Sequence, residues 1–298
     1  MKKRAKKHSS YLLTKREKVI LVIVFILLLF YALSLVYPFI YLIVNSFKTT
    51  YDFSDNPVGL PQEWTLANFR SAFTDFGVIP PRSRESVNIL TMFWNSISLS
   101  VVETIFSMFL TCCVAYVLAK YKFPGNKFIY TFVIISSVIP TIAAISATYR
   151  LMSDTGLIGT YVGMVIMECG AFGGGFLYIH SYFKSIPWAF AESAMMDGAS
   201  DFKIFFRIMI PMAKNGILTF TILKFLGCWN SYWIPYLFYQ NHPTLAVGLS
   251  MLTTEVKSFS GEYTKLFAAM VVSIVPVLIF YAIFQKQLLS NTIDGGLK

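Results

Sequence analysis

The run Val19 to Ser46 contains no charged side chain. Folded as a helix at about 1.5 Å per residue it outreaches the ~30 Å hydrocarbon layer of a bilayer, even when tilted. A backbone in lipid must satisfy its own hydrogen bonds, so a run of this length is read as a membrane-spanning helix. The composition agrees, with 56% hydrophobic and 13% charged residues, where soluble domains carry about 25% charged residues. A secretory signal would have an apolar core of about 7 to 15 residues, and this run exceeds it. The net charge of +10 is concentrated: Lys2, Lys3, Arg4, Lys6, Lys7, Lys15, Arg16 and Lys18 against Glu17 put +7 in the first eighteen residues. Ahead of a hydrophobic run, such a tail is a topology signal that stays on the cytoplasmic side. It has no aromatic interleaving of the kind nucleic acid binding uses, so no nucleic acid partner is expected.

Hydropathy gives six spans: Val19 to Ser46, Ile89 to Ala119, Phe128 to Ala147, Gly159 to Tyr182, Met209 to Phe238 and Leu266 to Gln287. The fold class expected is an all-α membrane protein with six transmembrane helices and both termini inside. Lys120, Lys122 and Lys127 fall in one inner loop, and Lys184, Lys203, Arg207 and Lys214 surround the next, as the positive-inside rule requires. The first outer loop, Thr49 to Val87, is long enough for a short helix. Pro140, Pro211, Pro235 and Pro276 should bend or begin helices, with Pro211 read as a helix start. Gly170 and Gly174 have the GxxxG spacing of close helix packing, with a hinge or pathway lining as the other reading. Cys112, Cys113, Cys169 and Cys228 lie in apolar segments and are read as small core residues. Residues 1–18 form a basic cytoplasmic tail and 19–298 a single transmembrane domain, with no soluble domain and no internal repeat.

Between the fourth and fifth spans lies "AFAESAMMDGASDFKIFFRIMIP", Ala189 to Pro211. Pro187 suits the first turn of a helix, and Ala189, Ala191, Glu192, Ala194, Met195 and Met196 favour about three turns of it. Gly198 can take the left-handed backbone of a C-cap, after which Ser200 or Asp201 can cap the next helix. Trp188, Phe190, Met195 and Met196 leave apolar knobs outside the membrane, which suggests a partner. Read from periodicity alone, a surface-lying amphipathic connector remains the alternative.

"ESAMMDGAS" followed by "FKIFFRIMIP" resembles the E-A-A-x-x-D-G-A signature of binding-protein-dependent ABC importer permeases. Glu192, Ala194, Asp197, Gly198, Ala199 and Pro211 match, and Ser193 replaces the usual second alanine. "NSISLSVVETIFS", "AYVLAKYKFPG", "WNSYWIPYLF" and "TLAVGLS" extend the resemblance over most of the chain, toward the maltose-type carbohydrate permeases. The resemblance implies that 187–199 is a cytoplasmic coupling helix, gripped by a separate ATPase, with Glu192, Ala194, Asp197, Gly198 and Ala199 as the coupling residues. It also implies a second homologous permease, two ABC ATPase subunits or a homodimeric ATPase, and an extracellular solute-binding protein contacted through Thr244, Val247 and Gly248. The substrate implied is a sugar or oligosaccharide, and the location a bacterial plasma membrane. ATP and Mg would be used by the partner ATPase, since this chain has no G-x-x-x-x-G-K-[ST] loop.

No cofactor, metal site or catalytic set is expected, because His8, His180 and His242 are scattered and no paired carboxylates or nucleophile stand out. Glu103, Glu168 and Lys224 lie well inside spans, where ionisable groups face a partner or an aqueous cavity. Lys224 is expected to pair with one of the glutamates, either beside a translocation path or as a purely structural ion pair. Trp229, Asn230 and Tyr232, near the outer end of the fifth span, suit carbohydrate stacking and hydrogen bonding, and equally an interfacial aromatic belt. An ion-coupled secondary transporter, an importer of a non-sugar solute and an intramembrane enzyme are the competing functions.

Overall fold

The computed structural model describes residues 14–75, 77–80, 85–139, 144–168, 170, 175–257 and 261–295. Helix α1 spans Lys15–Ser46, starting four residues ahead of the uncharged run. Its start is fixed by a capping box, in which the Thr14 hydroxyl accepts from the Glu17 amide and the Glu17 carboxylate accepts from the Thr14 N–H at 2.7 Å. The first outer loop contains more than the one short helix expected of it. It holds α2 (Thr50–Asp55), α3 (Ala67–Thr74) and a small antiparallel pair, β1 (Gly77–Val78) and β2 (Val87–Asn88), with Gly77 opposite Asn88. This cap is tied down by Asn68, whose side-chain amide donates to the carbonyls of Ser46 and Lys48 at 2.8 and 2.7 Å.

Helix α4 spans Ile89–Lys120 and begins at Asn88, which accepts from the Thr91 N–H. The third and fourth expected spans each appear as two shorter helices: α5 (Asn126–Val138) and α6 (Ile145–Asp154), then α7 (Tyr161–Glu168) and α8 (Gly175–Ser185). Pro140, Cys169 and Gly174 fall outside the described residues. Gly170 is described, and a β-carbon added there would meet nothing within 4 Å among the described residues. After α9 (Ala189–Met196) and α10 (Asp201–Ile204) comes a π-helical turn over Phe205–Met209, which passes into α11 (Ile210–Met212). Pro211 sits in the first turn of α11, matching its reading as a starting residue. The chain bends by 79° before α12 (Lys214–Asn230), so the fifth expected span is shorter than Met209 to Phe238. Its outer part is a separate α13 (Trp233–Phe238) containing Pro235. Then follow α14 (Leu245–Glu255) and α15 (Tyr263–Gly295), which continues through Pro276.

Among the described residues, α1, α4 and Tyr263–Gln287 are each long and apolar enough to cross a membrane, and the bent pair ending in α12 makes a fourth. Helix α4 is the centre. It packs against α7, α8, α12 and α14, while α1 packs mainly against α15 among the described residues. One α4 face buries Ser96, Ser100, Glu103, Thr104, Ser107 and Thr111 at three- and four-residue spacing, the small-polar seam through which membrane helices approach each other. The opposite situation holds for α1, whose apolar side chains from Val19 to Phe39 are exposed.

One close approach limits substitution. A β-carbon on Gly163 of α7 would stand 2.2 Å from the Leu157 carbonyl oxygen, a backbone atom that cannot swing away. Gly163→Ala should therefore destabilise the chain by about 1–3 kcal/mol through overpacking. Gly170→Ala, which points into open space, should not. Thermal melting of the two purified variants in one detergent distinguishes them.

Candidate functional site

Two features stand out: the connector around α9, and a polar cavity beside the middle of α4. The connector helix is shorter than its sequence suggests. It runs for eight residues rather than three turns, because Pro187 stays outside it and Trp188 takes the N-cap position. Its end is a complete Schellman motif: Gly198 donates its N–H to the Met195 carbonyl at 3.0 Å, and Ala199 donates to Ala194 at 2.9 Å. Gly198 has φ of +76°, the left-handed conformation glycine adopts without strain. Ser193, standing where alanine is usual, returns its hydroxyl to the Ala189 carbonyl at 2.9 Å, so it adds no unsatisfied polar group. Ser200 occupies the N-cap position of α10 without a side-chain capping bond.

The buried side of the connector joins the cluster at the end of the bundle. Ala191 is fully buried among Phe183, Ile186, Ile204 and Phe205, with Ala194 and Ala199 half-buried against the same cluster. On the other side Phe190, Met195 and Met196 are exposed, with Met196 at 89%, beside exposed Glu192 and Asp197. The end of α4 holds both feet of the connector. The Lys120 ammonium donates to the Ile186 carbonyl just before it. The Tyr121 hydroxyl donates to Asp201 Oδ1 at 2.9 Å just after it, and the Tyr121 ring lies edge-on to Trp188 at 5.7 Å. With its one proton directed at Asp201, Tyr121 accepts from the Tyr116 hydroxyl, 3.4 Å away. Burial, then the hydrogen bonds to Tyr116 and Asp201, push the Tyr121 phenol above its ordinary range, so it remains a donor at neutral pH. Sequence spacing gave no sign of this pairing, since Tyr121 and Asp201 are eighty positions apart.

Glu103 and Lys224 come together. Both line one cavity of about 220 Å³, with Met164, Cys228 and Ser231. At about 30 Å³ per water this has room for several waters. Glu103 is 3% exposed and Lys224 half-buried. Glu168 ends α7, and its side chain lies outside the described residues.

The remaining candidates do not gather at that cavity. Trp229 and Asn230 line a different one, of about 410 Å³, with Phe39, Ser273 and Leu245. Trp229 is 7% exposed, packed 5.9 Å from Phe93 and 6.1 Å from Phe225, so its ring serves internal packing. Asn230 ends α12 and donates to the Leu226 carbonyl at 2.9 Å. Tyr232 is exposed, and packs edge-on to Trp233. Thr244, Val247 and Gly248 differ most from their expected role in contacting a partner: all three are buried inside this chain. Thr244 caps α14, and a β-carbon on Gly248 would lie 2.0 Å from the Met92 sulfur. They dock α14 on α4, helped by the Ser96 hydroxyl, which accepts from the Leu245 N–H at 2.7 Å. The accessible side of this segment is carried by Ser250, Thr254 and Glu255.

Residues 111–292 match the family described as "Binding-protein-dependent transport system inner membrane component". The chain is 32% identical over 273 residues to the diacetylchitobiose uptake system permease protein NgcG of Streptomyces coelicolor, covering 90% of this chain and 86% of that one. It is 29% identical over 274 residues to the arabinooligosaccharides transport system permease protein AraQ of Halalkalibacterium halodurans, covering 90% and 93%. Among solved structures, a chain of a bacterial ABC transporter involved in import of the acidic polysaccharide alginate superposes with a TM-score of 0.77 at 25% identity. That match covers 92% of this chain and 98% of the other.

The turn after α9 yields a clean substitution test, because a β-carbon at Gly198 would touch nothing within 4 Å. Gly198→Ala therefore costs only the left-handed backbone conformation, about 1–2 kcal/mol. The amides of 198 and 199 should exchange with solvent at least about fivefold faster, measured by hydrogen exchange, whereas Gly198→Asn, better tolerated in this conformation, should fall between.

Proposed function

The chain belongs to the binding-protein-dependent transport system inner membrane components, and from that premise we propose that it moves a sugar or oligosaccharide, delivered by an extracellular binding protein, through a six-span domain with both termini inside. Permeases of this family are membrane subunits and not enzymes, so ATP hydrolysis falls to a separate ATPase that uses the nucleotide and Mg. The sugar reading rests on relatives whose names specify diacetylchitobiose and arabinooligosaccharides, and a structural neighbour involved in alginate import. Residues 1–18 form the basic inner tail in this reading, and 19–298 one transmembrane domain. In this reading a second homologous permease completes the path beside the cavity lined by Glu103 and Lys224.

The observation that carries the coupling role is the connector's division of labour. Its backbone is locked by the Schellman turn at Gly198 and its small residues are packed inward, yet Phe190, Met195 and Met196 are left exposed. A rigid element with an unsatisfied apolar face suits a groove on another protein. Glu192 and Asp197 supply charge at the same surface. Closure of two ATPase subunits, or of a homodimeric ATPase, would push this handle and reshape the region around Glu103 and Lys224.

Co-purification tests the reading. The intact chain should bring down an ATPase, and Gly198→Pro should abolish that retention, because proline cannot take a φ of +76° and lacks the N–H given to Met195. Retention that survives Gly198→Pro would remove the coupling role from this segment.

Lys224→Met separates a pathway lysine from a purely structural one. Transport in membrane vesicles should fall about tenfold, the scale of one lost charge-assisted interaction, with ATPase retention unchanged. A loss of transport that simply follows loss of assembly would assign Lys224 to structure.

A further inference from the structure

The handle is joined covalently to two helices, α8 and the segment leading to α12. The second connection is interrupted. Between Asp201 and α12 the chain passes through a π-helical turn at Phe205–Met209 and then a 79° bend at Ala213. π-Turns interrupt the regular α-helical bonding and are a known cause of helix kinks, so a push delivered at Asp201 meets two interruptions before it reaches Lys214. Helix α4 offers a stiffer path. It is one unbroken helix of 32 residues, its end touches both feet of the handle through Lys120 and Tyr121, and its middle lines the polar cavity with Glu103. From Tyr121 back to Glu103 is about 27 Å along the helix.

Resting on the permease reading above, we propose that Tyr121 is a positioning residue whose hydroxyl bond to Asp201 makes α4 move with the handle, transmitting ATPase closure to the Glu103 cavity. The arrangement around Tyr121 fits this task. Tyr116 donates to its oxygen from one turn back on α4, Trp188 packs on its ring at the start of the handle, and Asp201 accepts its proton beyond the end of the handle. The α4 terminus is itself fastened by Asn126, whose side-chain amide donates to the carbonyls of Leu118 and Tyr121 at 3.1 and 2.8 Å. A force on Asp201 is thus passed to a helix end that cannot fray.

The test uses the assembled transporter in nanodiscs with its ATPase. Cavity opening is read as the modification rate of Cys228, which lines the same cavity as Glu103, by a small methanethiosulfonate, resolved by mass spectrometry with and without Mg·ATP plus vanadate. In the wild-type complex nucleotide trapping should change this rate. Tyr121→Phe retains the ring and its packing and removes only the hydroxyl. It should keep the ATPase bound and hydrolysing, while the nucleotide-induced change in Cys228 rate shrinks about three- to tenfold, the weight of a hydrogen bond of this kind. Asp201→Ala should behave the same way, the double variant should be no worse than either single, and Asp201→Asn, which retains an acceptor oxygen, should recover most of the response. A full nucleotide response in both Tyr121→Phe and Asp201→Ala overturns the strut, as does loss of ATPase retention in Tyr121→Phe, which would make the contact a docking element. A wild-type chain that retains no ATPase, or whose Cys228 rate ignores nucleotide, overturns the permease reading instead, and the strut with it.

Discussion

A carboxyl group in the middle of an apolar helix has to be faced by protein or water and not by lipid, and Glu103 of α4 imposes that condition on the whole bundle. It does not stand alone on its face. Ser96, Ser100, Thr104, Ser107 and Thr111 continue the same stripe, so nearly the full length of α4 must be covered by other helices. Helices α7, α8, α12 and α14 supply the cover. Small residues on the stripe let those helices come close, which turns the polar requirement into dense packing. Helix α1 carries no such requirement over its apolar length, which stays exposed, and it is held by packing on α15 and, at its polar end, by Asn68 of α3.

Coverage of α4 from several sides also explains why the other elements are broken. Straight helices cannot each follow one central helix and still return to the membrane surface at the right place. The chain resolves this with the bend between Met212 and Lys214, the separate α13 after Tyr232, and the close packing of α7 on Leu157 that requires glycine at 163. The neighbours of α4 are interrupted, whereas α4 stays continuous.

How much of this was legible in the sequence depends on the range of the forces involved. The uncharged run of α1, the start of α4 and the glycine turn at 198 are local properties of composition and backbone, and the sequence marked each within a few residues. That Glu103 and Lys224 would face protein or water could be anticipated, because both are expensive in lipid, and they line one cavity. The α9 helix proved shorter than its composition suggested, since Pro187 and Trp188 were spent on entry to the helix and not on its turns. Thr244, Val247 and Gly248 were read as a contact surface because they fall in an outer connection, but apolar and small residues in such a connection also suit docking against a neighbouring helix, and Met92 and Ser96 of α4 receive them. Trp229 was ambiguous for the same reason: an aromatic ring near a helix end suits stacking on sugar or on Phe93 and Phe225 equally well. The bond from Tyr121 to Asp201 had no local signature at all, because tertiary geometry alone brings the two together.

The connector illustrates why stiffness and exposure have to occur together. An exposed apolar face on a floppy loop would bind a partner but lose the partner's motion in its own rearrangement, because the loop's backbone has many conformations of similar energy. A stiff element with a polar face would transmit motion but offer little to grip. Here the Schellman hydrogen bonds at Gly198, the buried Ala191 and the two bonds from the end of α4 remove internal freedom from the segment, while Met195 and Met196 remain available and adaptable in shape. Rigidity is therefore placed in the backbone and adaptability in the side chains. A displacement imposed at the methionines has few internal modes into which it can relax, and the stiffest continuation open to it runs into α4, toward the buried carboxyl that organises the bundle.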